Sequence, residues 1–387
     1  MKVEQIYKLV NSTVSEITGK EDLLQEDLSN IVDVGKEIIN TDNVDNYVKK
    51  LVNHIGKVVF VDRLYQGSVP SVLMDKWEFG SILEKIHADM PEAQDNDSWN
   101  LQDGQSYDDD VFYQPKVSAK FFNSKDTFEI RLSFTEKQVR ESFSDATQLN
   151  SFVSMLNTAV ENGMTVRLDA LIMRTINNMA GETLNADKDG VKAVDLLAGF
   201  NATRTEPLAR ENAIYDPDFI RYASYMIGLY TDRIQKISTL FNVGGQERFT
   251  PASDTHLVLL SEFAKGAKVY LESNTINNEL VQLPNFESVP YWQGSGKTYN
   301  LSDSSKIDVK VSSGAKIAQD MIIGVMFDTQ ALGVSNLDRR TTTNYNSRGE
   351  FFTNYYKAEA GYFNDLNENF IVFYLGNQSA GSESAGK

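Results

Sequence analysis

The sequence predicts an α+β fold organised around one very long helix, and three observations predict it. Apolar residues recur at spacings of three and four from Leu149 to Met179 without a break. Strand-like runs stand on both sides of that stretch, TFEIRLSF before it and ENFIVFYL near the end of the chain. The 387 residues exceed what one simple core usually holds, so two or three packed subdomains follow. Hydrophobic residues at 41% and aromatics at 11% supply enough apolar material to offset the entropy of ordering such a chain.

In chain order, residues 1–56 read as short amphipathic helices in series, with Ile6, Leu9, Val10, Val14 and Ile17, then Leu28, Ile31 and Val32, then Val44, Tyr47, Val48, Leu51 and Ile55 as their apolar positions. They suit either an arm packed on a neighbour or a small independent bundle. From Val58 the run VVFVDRLY reads as a strand, and Gly67 and Pro70 mark a turn. Residues 91–110 are polar and rich in turn formers, which predicts a long exposed excursion. The runs VSAKFF and TFEIRLSF, separated by Asn123-Ser124-Lys125-Asp126, read as a hairpin, so that roughly 65–143 forms an extended loop built on it.

The long helix should run from Asp145 to Ala180, about 54 Å at 1.5 Å per residue, with Gly181 ending it and NADKDG turning the chain. Asp216-Pro217 opens a second helix: an acid at the N-cap and a proline at the first position, where its missing N–H costs nothing. Phe219, Tyr222, Met226, Ile227, Tyr230, Ile234 and Ile237 form its buried stripe, and Gly244-Gly245 stops it. Residues 255–271 and 317–376 mix short helices with strands, and the Gly/Ser/Ala-rich end frays.

Composition excludes several function classes. With no cysteine there is no disulfide, thiolate metal site or cysteine nucleophile, which fits a reducing compartment. No window approaches the roughly 18 apolar residues of a membrane span. A net charge of −17 repels nucleic acid, whose binders cluster Lys and Arg, yet it is compatible with a wall that encloses a polyanion without adhering to it.

The motifs that invite a chemical reading are incomplete. GSGKT at 294–298 ends like a phosphate-binding loop, but Tyr291 stands where the pattern requires glycine. Asn185, Asp187, Asp189 and Gly190 open like a calcium loop, but the twelfth position is Leu196 instead of a bidentate glutamate. His54, His87 and His256 lie far apart with no partner at ligand spacing, and no nucleophile elbow, zinc-protease or dinucleotide fingerprint occurs. Trp77, Trp99 and Trp292 read as packing or subunit-contact residues. Asp108, Asp109 and Asp110, with Asp103 nearby, could hold a divalent ion or dock a basic patch on a neighbour; a solvated acidic loop is the simpler reading. No catalytic, cofactor-binding or metal residue is assigned.

The order arm, extended loop, very long helix, second helix and mixed α/β half resembles the tailed-phage major capsid fold of the Hong Kong ninety-seven type. The passage FEIRLSFTEKQVRESFSDATQLNSFVSMLNTAV and the closing stretch from Met321 to Leu375 are similar to the corresponding parts of that family. VDNYVKKLVNHIGKVVFVDRLY and VLMDKWEFGSILEKIHADMPEA are similar to capsid proteins of small, short-tailed phages of Gram-positive hosts. The resemblance implies an N-terminal helical arm at 1–64, an E-loop at 65–143, a P domain with its spine helix at 144–240, an A domain at 241–320, strands returning to the P domain at 321–376 and a flexible tail at 377–387. It also implies a non-enzymatic, cofactor-free shell subunit that assembles with itself into pentamers and hexamers around double-stranded DNA. Portal and scaffolding proteins would be its other partners, with no membrane, in a virion assembled in the bacterial cytoplasm.

Within that reading Phe112, Tyr113, Phe121, Phe122 and Phe128 are the candidate loop anchors, because aromatics dominate interface centres, and Asp108, Asp109 and Asp110 are candidate contacts. For Phe121 and Phe128 the hairpin's own core is an equal alternative. An encapsulin-type compartment shell shares the fold, and a tail or cell-surface binding module is the rival from another class; the latter usually carries β-repeats or disulfides, and neither is present.

Overall fold

The computed structural model describes most of residues 69–376, with breaks at 75–82, 89, 92, 94, 108–111, 136, 139–145, 274–284 and 294–299; nearer the N-terminus it describes only Tyr7, Asn11, Ser12, Val14 and Ser15. Apart from those five residues the expected arm at 1–64, with His54 and most of its strand-like run from Val58, lies outside the described residues, as do Trp77, the acidic triplet Asp108–Asp110, GSGKT at 294–298 and the tail at 377–387.

A five-stranded sheet holds the core. Its order is β5 (Ala193–Asp195), β13 (Phe370–Tyr374), β10 (Ile322–Asp328), β6 (Thr255–Leu260) and β7 (Glu287–Val289). The central strands are continuous apolar runs because both faces are covered, so alternate residues enter different cores. Val258, Leu260, Val325, Phe327 and Val372 face Leu168, Leu171, Ile172, Ile176 and Met179 of the long helix α1 (Ala146–Ala186). Leu257, Leu259, Met326, Ile371 and Phe373 face the other way. There they meet Leu196, Leu197 and Phe200 of α2 (Leu196–Asn201), Phe219, Ala223 and Ile227 of α3 (Pro217–Ile234), and Phe263 and Ala267 of α4 (Ser261–Ser273). Each Val, Leu, Ile, Phe or Met among them, fully buried, contributes about 1.5–3 kcal/mol of transfer free energy.

A second sheet is formed by β1 (Leu73–Met74), β11 (Leu332–Asn346), β12 (Phe351–Asn364) and β4 (Lys125–Thr135), in that order. Helix α1 crosses it as well: a Cβ on Gly163 would sit 2.7 Å from Ile130 Cδ1, and Arg167 pairs with Asp126 of β4 at 2.9 Å. The helix is thus shared between the sheets, which explains its length of 41 residues, about 60 Å at 1.5 Å per residue.

Three expectations are corrected. Gly181 does not end α1; the helix continues to Ala186, and glycine is needed there because β8 (Ile307–Lys310), paired with β9 (Lys316–Gln319), packs so closely that a Cβ would collide with Val309. Helix α3 stops at Ile234, well before Gly244-Gly245, because the returning chain donates from Thr250 N to the Ile234 carbonyl at 2.9 Å, and Ile237 stays half-exposed beyond the helix. Finally, the runs VSAKFF and TFEIRLSF do not form a hairpin with each other. Strand β3 (Val117–Phe122) pairs with β2 (Leu83–Ala88), while β4 joins β12 over its full length, from Lys125↔Gly361 to Thr135↔Phe351. That ladder is longer than β3 could offer; it half-buries Phe128, Ile130 and Leu132 on the inward stripe and buries Phe134 beside Phe352.

Candidate subunit interface

The β2–β3 hairpin has its amphipathic sense inverted. Alternation puts Leu83, Lys85 and His87 of β2 and Lys120 and Phe122 of β3 on the face turned toward the body of the chain. The outward face carries Ile86, Ala88, Val117, Ala119 and Phe121, with Glu84 as its charged member; Ile86, Val117 and Phe121 are each more than half exposed. Charges inward and apolar groups outward is the reverse of what an isolated surface hairpin requires.

The inward face is held by ion pairs. Asp365, in the turn between β12 and β13, receives Lys85 Nζ at 3.0 Å and Lys120 Nζ at 2.9 Å. Lys85 Nζ also donates to the Gln330 carbonyl at 2.7 Å and lies 3.7 Å from Glu368. Arg248, nearly buried, approaches Glu368 at 3.4 Å through Nε and donates to His87 Nε2 at 2.6 Å through Nη1. Phe122 packs on Phe363 with ring centres 5.2 Å apart, and Lys85 lies over the same ring at 5.5 Å. Burial pushes the Asp365 carboxyl up, but the charge of Lys85, the hydrogen bonds from both lysines and the Asn367 amide outweigh it and hold the group below the usual carboxylate range.

Between the two strands runs the excursion 89–116. Among its described residues large side chains are displayed to solvent: Trp99 is 93% exposed, Phe112 85% and Tyr113 76%. An aromatic side chain buries 150–250 Å² when covered, so these residues and Phe121, 63% exposed, represent a large unclaimed apolar area.

The candidate anchors therefore separate. Phe112, Tyr113 and Phe121 are exposed, and Phe121 contributes to no core of the hairpin. Phe122 is turned inward onto Phe363. Phe128 lies on β4, packed against the α1 core with Arg167 over its ring at 5.8 Å. Of the other motifs, the calcium-like turn is self-satisfied: the Asp187 carboxylate accepts from the amides of Val191, Lys192 and Ala193. Among the described residues no group of three His, Asp or Glu could hold a metal ion. No helix among them is long and apolar enough to cross a membrane. Trp292 is buried, with Nε1 donating to the Ile322 carbonyl at 2.8 Å. His256 stacks on Phe327 at 5.5 Å, and burial lowers its pKa.

The residues of the ionic clamp were missed by sequence reasoning. Alternation in LEKIHA groups Lys85 with His87, but it does not say which face turns inward, and the acids that receive them lie far along the chain.

Comparison with known proteins gives a consistent outcome. The sequence model of the family described as "Phi29-like phage major capsid protein" matches residues 10–374. A search of curated protein sequences found no match. Among solved structures, a chain from the capsid of Staphylococcus phage Andhra aligns with TM-score 0.52 and 9% identity, covering 79% of this chain and 83% of that one. A chain from the structure of the head fiber and inner core protein of bacteriophage P68 aligns with TM-score 0.51 and 10% identity, covering 81% and 86%. At such identities the likeness is one of fold.

Proposed function

From the premise that this chain belongs to the Phi29-like phage major capsid protein family, and so is a structural subunit of a phage capsid, we propose how its parts serve assembly. The β2–β3 hairpin and its excursion act as the E-loop of the Hong Kong ninety-seven type, α1 as the spine helix of the P domain, and the sheet around β6 and β10 as the A-domain framework. Subunits associate as pentamers and hexamers that close a shell around double-stranded DNA. The role is not enzymatic; portal and scaffolding proteins are its further partners, and the virion is assembled in the host cytoplasm.

The observation that carries this reading is the inverted hairpin. Its apolar outer face is left bare by its own chain, and a second copy is the partner a shell subunit always has at hand. Phe112, Tyr113 and Phe121 are the contact residues; Asp108, Asp109 and Asp110 join them as a charged contact within the same excursion. Phe122 and Phe128 support the loop from within. The net charge of −17 keeps wall and DNA apart while requiring no sequence-specific contact. Summed over many copies, individually weak contacts give a stable shell by avidity, which leaves each one correctable during assembly. An encapsulin shell is not favoured by the family match.

The test is the native mass and negative-stain image of the purified chain, alone and with its neighbouring genes co-expressed. Capsomers or closed polyhedral particles are the expected result. A strict monomer under every condition contradicts the proposal.

A further inference from the structure

We propose that β4 is a second contact element, separate from the β2–β3 hairpin: it pairs edge to edge with β4 of another copy, antiparallel about a twofold axis at Ile130, and joins two sheets into one. The strand runs eleven residues without a proline, and its ladder with β12 advances from Lys125 to Thr135 without a bulge. Among the described residues no strand pairs with its other edge. Folded chains normally blunt such an edge by shortening it, bending it, inserting proline or lining it with lysine. None of these devices is used in β4.

The residues of β4 select the partner. With the axis at Ile130, Glu129 stands opposite Arg131 of the second copy, and Arg131 opposite its Glu129; Phe128 likewise meets Leu132, and Thr127 meets Ser133. An isologous contact requires this self-complementarity, because every contact is returned. Opposite charges and apolar pairs directly across an antiparallel ladder are combinations that stabilise it. Moving the axis by one residue either way sets Glu129 against itself or Arg131 against itself, and an axis between residues turns the apolar stripe of one copy onto the polar face of the other. Charge and patterning thus fix one register. Burial points the same way: Phe128, Ile130 and Leu132 are only half-buried at this edge, whereas Phe352 and Tyr356 on the adjacent β12 are fully buried. A dyad normal to the sheet keeps both stripes on one side, where each extends the cover of the other. In the lone chain Arg131 Nε donates to Glu129 at 2.7 Å and its guanidinium lies over Tyr355 at 5.9 Å, so both charges already stand on the exposed face where the crossing pairs form. The role of this contact within a shell rests on the subunit reading above; the pairing itself rests on the strand.

Charge exchange and mixing test it. Glu129→Arg sets arginine against arginine in every self-pair, and Arg131→Glu sets glutamate against glutamate, so each variant alone should self-associate about tenfold more weakly than wild type in sedimentation velocity. Mixed in equal amounts, the two variants regain both crossing pairs and should associate with each other, which also shows that both fold. Single variants that associate like wild type, or a mixture no better than its parts, overturn the pairing. The register is read by a disulfide. Residues directly opposite have Cα atoms about 4.5–5.5 Å apart, within the span of a disulfide, so Thr127→Cys chains oxidised together with Ser133→Cys chains should give a covalent dimer that neither gives alone. Its absence overturns the register. Shells that close normally from either charge variant would overturn the pairing and leave the subunit reading standing; the covalent dimer without particles under any condition would support the pairing and contradict the shell.

Discussion

Asp365 shows how one carboxylate can place a whole element. Removing its charge leaves Lys85 and Lys120 facing a partly buried site with one acid fewer; because both lysines retain some access to solvent, the loss falls below the 3–5 kcal/mol of a fully buried pair. Asp365→Asn should cost about 2 kcal/mol at pH 7 in a urea titration. The folded pKa lies below the ordinary 3.8, so this contribution is complete above that value and is lost as pH falls through the folded one; wild type and variant should converge in strong acid. His256 has the other linkage. Burial lowers its pKa from 6.5, so the unfolded chain takes up a proton first and stability falls as pH drops below 6.5 toward the folded value. His256→Gln should flatten that part of the stability–pH curve. Neither residue could be ranked from sequence, since each is defined by partners remote in the chain.

At the scale of elements, local signals were legible and tertiary pairings were not. The Asp216-Pro217 start of α3 is as the sequence predicts, with the Asp216 carboxylate accepting from the amides of Asp218 and Phe219 at 2.9 Å each. The existence of α1 and of the strands VSAKFF and TFEIRLSF was also readable. What failed was the pairing of those two strands, because adjacency in sequence favoured a hairpin, whereas the longer apolar stripe of β4 finds its match in β12. Gly181 was misread for a related reason: glycine marks a helix end or a close approach, and only the position of Val309 tells which. Gly181→Ala tests this. Helix propensity alone would gain about 1 kcal/mol, but overpacking against a β-branched residue held in a strand costs about 1–3 kcal/mol. A lowered melting temperature is expected, and a raised one would show that β8 yields easily.

For the whole molecule, the five-stranded sheet and the helix shared between two sheets form a body whose cores are complete, while the hairpin turns its apolar face away from that body. The two parts should respond differently to mutation. Phe112→Ala should leave unfolding of the single chain within about 0.5 kcal/mol of wild type yet raise the protein concentration needed for particles to form, as sedimentation would show. The sequence revealed that aromatics crowd this loop, but not which of them face outward. That depends on the clamp, whose acids lie in the turn after β12.

Because the chain contains no cysteine, a thiol introduced by Phe121→Cys reports on one face alone. Its rate of modification by a maleimide, compared between unassembled chain and closed particles, is the most direct measure of whether a second copy covers the hairpin. Rapid labelling of the free chain and at least about tenfold slower labelling in particles, a ratio worth about 1.4 kcal/mol of protection, is the predicted result; equal rates in both states would contradict the account.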